Sequence, residues 1–177
     1  MKLGIVLLAA GCLTLAIGCK PKPATTGSPA SSATPISRTA APLPDRGFRA
    51  QVTLSEPPAK LRTGQKEVIT VKVKNASDVV WRQRGGEIND RPDNKFYIAI
   101  GNRWLDKDGK LTSETEGHNG ITKDLKPGEE AEMTLQITAP KEPGEYILSL
   151  DMVHEGVTWF KERGAQPLQL RVRVQPN

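Results

Sequence analysis

Met152 and His154 stand two residues apart in the run DMVHEGVTWF, residues 151–160. On a β-strand that spacing puts both side chains on one face, and a thioether beside an imidazole is a donor pair suited to Cu(I). A metal site needs further ligands, and Met133 supplies the nearest match in kind. The plainer reading has Met152 extend the apolar stripe of Tyr146, Leu148 and Leu150, filling core space. Asp106 and Asp108 lie in LDKDGKL, where the Asp-x-Asp-Gly pattern suggests calcium but lacks the further acids and closing Glu of an EF-hand loop. A tight turn explains it better. With His118 and His154 the chain has two histidines, and no cysteine follows Cys19. It holds no Gly-x-Ser-x-Gly elbow, no His-Glu-x-x-His and no phosphate loop, so the expectation is a protein without a catalytic site or cofactor.

Trp81, Trp104, Trp159, Tyr97 and Phe160 offer flat apolar faces of the kind that stack on sugar rings. In a β-sandwich, however, tryptophan is more often a core plug.

The elements that must position these residues begin after a leader. Lys2 precedes an uncharged, largely apolar run from Leu3 to Ile17. At about 15 residues it is shorter than the roughly 20 that span a bilayer as a helix. A polar stretch follows at once, and together these read as a secretory signal. Both cysteines, Cys12 and Cys19, fall within it, so the remaining chain cannot form an internal disulfide. Leu15-Ala16-Ile17-Gly18-Cys19 resembles the lipobox of bacterial lipoproteins, departing from it at Ala16, where that family prefers Leu. The resemblance implies cleavage before Cys19 and acylation there; two or more acyl chains make membrane anchoring stable. It also implies an outer-membrane location, because Lys20 stands where an Asp would favour inner-membrane retention. The alternative is a plain signal peptide and a secreted soluble protein.

Residues 20–45, KPKPATTGSPASSATPISRTAAPLPD, carry almost no large apolar side chain, too little to offset chain entropy, and read as a disordered tether. Of the net charge of +5, residues 1–47 carry +4, with five basic side chains against one acid. Residues 48–177 hold 20 basic and 19 acidic side chains. Without a basic concentration on that part, or a nucleic-acid motif, no nucleic-acid partner is expected.

From residue 46 to 177 short runs of period two alternate with Gly, Pro, Asn and Asp. Ile69/Val71/Val73, Phe96/Ile98/Ile100, Met133/Leu135/Ile137 and Leu168/Leu170/Val172/Val174 each mark one buried face of a strand. Asn75–Asp78, Leu125–Gly128 and Pro140–Gly144 supply turns. A loop at 107–109 would place Gly109 in the left-handed region and pair Leu105 with Leu111. Seven to nine such strands argue for an all-β, immunoglobulin-like antiparallel β-sandwich, with a closed barrel as the alternative. The series Asn75…Trp81, GNRWLDKDG at 101–109, LKPGE at 125–129, Ala139-Pro140 to Tyr146, and 151–160 resembles a bacterial Ig-like domain found alone or appended to glycosyltransferases and methyltransferases. That resemblance covers nearly all of 48–175 and implies a fold without catalytic residues or an assigned ligand. More distantly the chain is similar to tryptophan-marked sandwich domains used for protein binding.

Two functions follow from different classes. One is an envelope module, anchored at Cys19, that binds a protein or glycan partner. Its contact residues are expected in the long polar loop 82–94, at Arg82, Arg84, Asp90, Arg91 and Asp93. The other is copper handling through Met152 and His154. For the 151–160 hairpin, a two-residue turn at Glu155-Gly156 predicts that Met152 faces Trp159 in the core. That register turns Phe160 to the surface as a further contact residue.

Overall fold

The structure, a computed structural model, describes residues 42–83, 95–112 and 116–177. Strands β1 (Ala50–Leu54), β3 (Lys66–Asn75) and β6 (Glu130–Thr138) form one sheet in the order β1-β3-β6. The second sheet runs β2 (Lys60–Arg62), β9 (Leu168–Gln175), β7 (Gly144–His154), β4 (Ile98–Leu105), β5 (His118–Gly120), with the two-residue β8 (Thr158–Trp159) also on β7. Every pairing is antiparallel except β2 with β9. The chain crosses between sheets at Pro57-Pro58, between β1 and β2, where the absence of N–H donors suits the end of a ladder. The expected all-β, immunoglobulin-like sandwich of seven to nine strands is the observed architecture, with nine strands among the described residues.

Its core follows from the alternation read in the sequence. Along β3 and β6 every second residue is buried, Ile69, Val71 and Val73 meeting the same face as Met133, Leu135 and Ile137. They pack against Ile98, Ile100 and Trp104 of β4, Leu148, Leu150 and Met152 of β7, and Val172 and Val174 of β9. Leu43, within the stretch read as tether, also packs on this core. Each buried aliphatic side chain contributes about 1.5–3 kcal/mol by leaving water. Trp81 and Trp104 are core plugs, with indole N–H groups donating to the carbonyls of Gly47 at 3.0 Å and Thr138 at 2.8 Å.

The turns carry the polar satisfaction. Buried Asn75 donates through Nδ2 to the carbonyls of Val79 and Leu125, while its Oδ1 accepts from the backbone N–H and hydroxyl of Ser77. Leu105 pairs with Leu111 and Gly109 has φ +80°, as the sequence predicts. Asp106 Oδ1 accepts the N–H groups of Asp108 and Lys110, so this carboxylate closes the turn.

Two strands break the alternation. β7 is buried on both faces from Leu148 to His154, and β4 nearly throughout. Covering of the outer face by the segment that follows β7 explains this.

Candidate functional site

The hairpin after β7 decides which side chains reach that outer face. Glu155, Gly156 and Val157 make a three-residue turn, with Gly156 at φ +69° and Val157 N–H donating to the His154 carbonyl. Trp159 therefore pairs with Val153 and Thr158 with His154. The two-residue turn expected from the sequence is one residue too short, and in a strand a one-residue slip exchanges the two faces. Trp159 leaves the core and lies on the outer face. Phe160, expected at the surface, is completely buried, edge-on to Phe48 at 5.0 Å and to Trp81 at 5.3 Å. Its role as a contact residue is thereby corrected: it is a core plug that opens the 3-10 turn Phe160–Arg163.

On the outer face Trp159 spreads over Gly101, which opposes Asp151 across the β4–β7 ladder. A Cβ at residue 101 would stand 2.7 Å from the indole and 2.9 Å from the His118 ring. Glycine in mid-strand is what admits the ring. Ala99, Val153 and Trp159 form a small apolar cluster separate from the main core. The Arg103 guanidinium stacks on the indole at 3.9 Å from the ring centroid, and the His118 ring meets it edge-on at 5.1 Å. Such a cation–π contact is worth about 0.5–2 kcal/mol. Acids hold both partners: Arg103 Nε donates to Glu116 at 3.0 Å, and His118 Nδ1 lies 2.9 Å from Glu155.

Asp151 sits beside this stack, 4% exposed. Oδ1 accepts the N–H of Met152 and Oδ2 that of Lys161, each at 2.8 Å, tying the 3-10 turn to β7. Burial pushes its pKa up to about 6, against the lowering effect of those two bonds and of the charges on Arg103 and Lys161. A buried acid held at such a cost in a cleft is a functional-site candidate. The cleft has a volume of about 200 Å³, with Arg103, Ser149, Asp151, Lys161 and Glu162 as its polar lining and Leu105, Leu111 and Trp159 as its apolar one.

Met152 and His154 do share a strand face, but it is the inward one, and both are fully buried. His154 packs against the rings of Phe48 and Phe96, at 5.6 and 5.8 Å. Among the described residues no group of three or more His, Cys, Asp or Glu side chains is placed to hold a metal ion. Arg82 lies elsewhere, in an ion pair with Asp124 at 2.6 Å. Arg84, Asp90, Arg91, Asp93 and Cys19 fall outside the described residues.

Arg103, His118 and Asp151 were not singled out by their sequence setting. Two signals were present: a glycine at 101 inside an apolar strand, and an acid at 151 between Leu150 and Met152. Neither discloses the stack, because Trp159 reaches Gly101 only through the turn length.

No family model matches the chain, and no curated protein does. Among solved structures it is similar to a β-glucosidase from Listeria innocua in complex with glucose, at 18% identity, TM-score 0.40, over 71% of this chain and 16% of that one. The chain thus spans less than a fifth of that enzyme's length. It is also similar to the CARDB domain of the PF1109 protein from Pyrococcus furiosus in complex with di-metal ions, at 15% identity and TM-score 0.39, over 73% of this chain and 91% of that one. With the C-terminal domain of wzt it shares 11% identity and a TM-score of 0.39, over 72% of this chain and 71% of that one. These are likenesses of fold alone.

Proposed function

We propose that the chain is a lipid-anchored protein of the bacterial cell envelope whose Ig-like sandwich is a non-catalytic module, binding a protein or glycan partner through the outer face of its six-stranded sheet. The observation that carries this reading is the Asp151 cleft. A sandwich needs no ionisable group within a central strand, yet this one keeps a carboxylate there at an electrostatic cost, beside a Trp159–Arg103 stack, at an opening to solvent. The near-neutral domain charge fits a partner recognised by local geometry rather than by long-range attraction. The anchor rests on the Leu15–Cys19 pattern, and the Pro/Ser/Thr/Ala segment behind it would hold the module off the membrane. Because Leu43 packs on the sandwich core, the spacer counts residues 20–41, and at about 3.1 Å per residue in an extended polyproline form it would reach roughly 70 Å.

The test is binding of purified chain to envelope polysaccharides and envelope proteins. Loss of binding in a variant of the cleft rim, Leu111→Gln, with retention in Lys72→Gln on the opposite sheet, is the expected result. Equal binding by both variants would move the function away from this face. Leu111 is 52% exposed, so its replacement leaves the fold intact.

A further inference from the structure

We infer that the cleft bounded by Arg103, Ser149, Asp151, Lys161 and Glu162 is a subsite for one neutral sugar ring. The inference rests on the reading of this face as the binding surface and names what the cleft takes.

Three features point to a polyhydroxylated ring. The first is charge balance. Two cations, Arg103 and Lys161, and two acids, Asp151 and Glu162, line one small opening. An anionic ligand would meet the two carboxylates, and a cationic one the guanidinium and ammonium. A neutral group bearing several hydroxyls can donate to the acids and accept from the bases at once.

The second is the state of the polar atoms. Each Asp151 oxygen accepts one backbone N–H and keeps a lone pair for a further donor. Ser149, 6% exposed, lies on the outer face opposite Arg103 and lines the cleft, and its hydroxyl makes no hydrogen bond to a described residue. At 4% exposure the ionised carboxylate is under-solvated, which raises its pKa, and hydroxyl donors from a ligand would relieve that deficit.

The third is shape. Leu105 and Leu111, paired across their hairpin, and Trp159 supply apolar surface beside this polar set. A pyranose has the matching division, with C–H faces and a hydroxyl rim. At about 200 Å³ the cleft lies below the roughly 300–1,000 Å³ of pockets that enclose drug-sized ligands, which suits one ring of a longer chain.

The experiment is an amide and indole NMR titration of the full chain in detergent. The probes are the methyl glycosides of glucose, galactose, mannose, rhamnose and N-acetylglucosamine, with sodium acetate and ethanolamine as charged controls. At least one glycoside is expected to shift the Trp159 indole together with the Gly109 and Lys161 amides. Asp151→Asn is expected to weaken that binding roughly tenfold or more, from loss of a charge-assisted hydrogen bond. Leu111→Gln, on the exposed rim, is expected to weaken it as well and remains informative if Asp151→Asn fails to fold. If acetate or ethanolamine alone produces the shifts, the neutral-sugar class is wrong. If no glycoside shifts these signals, the subsite is refuted, and envelope binding that is still lost in Leu111→Gln would leave the binding-module reading standing without it.

Discussion

At the scale of single residues, Asp151 links stability to pH in a direction that can be worked out. Its folded pKa of about 6 lies above the ordinary aspartate value of 3.8, so between those values the folded state holds more proton than the unfolded one. The contribution to stability is full below about pH 4 and is lost as pH rises through 6. A shift of that size is on the order of 3 kcal/mol. Arg103 from β4, Lys161 and Glu162 from the 3-10 turn and His118 from β5 are the charged or titratable groups around it. Chemical denaturation from pH 4 to 8 should show wild type losing stability relative to Asp151→Asn over this window. Parallel pH profiles would show that the carboxylate is not held at such a cost. Phe160 gives a second test. As a core plug, Phe160→Ala should cost about 3–5 kcal/mol, whereas a surface aromatic would cost little. An unchanged denaturation midpoint would restore Phe160 to the surface.

At the scale of elements, what was legible in the sequence depended on whether period two survived. β3, β6 and β9 alternate cleanly, and Ile69, Val71, Val73, Met133, Leu135, Ile137, Val172 and Val174 lie inward as the pattern reads, whereas buried Asn75 was read as a turn residue and Ala131 was not singled out. The Leu105–Leu111 pairing and the left-handed Gly109 were readable as well, because the turn chemistry is local. The 151–160 hairpin was not. Turns of two and three residues both accommodate Glu155-Gly156, and the choice exchanges Trp159 and Phe160 between faces. The candidate site depends on that choice, so its aromatic was named but placed wrongly. Its remaining members meet through pairing between strands far apart in sequence, Gly101 with Asp151 and with His118. Gly101→Val tests the arrangement: its side chain would displace the indole, at a cost of about 1–3 kcal/mol. Tryptophan fluorescence should shift to the red. An unshifted spectrum would mean that Trp159 does not lie on Gly101.

At the scale of the whole molecule, the proposed account joins a lipid anchor, a tether and a sandwich that presents one face. The anchor has its own test: Cys19→Ser should move the protein from the detergent phase to the aqueous phase on Triton X-114 partitioning, and unchanged partitioning would remove the lipid. The near balance of charge over residues 48–177 predicts binding only weakly dependent on salt, unlike a nucleic-acid binder. The central claim is that the outer face of the six-stranded sheet is the binding surface. Hydrogen exchange of the full chain, with and without the envelope ligand it retains, tests this most directly. The account predicts protection confined to residues 101–105, 109–111, 149–151 and 159–162. Protection on β3 and β6, or around Arg82 and Asp124, with these segments unchanged, would contradict it.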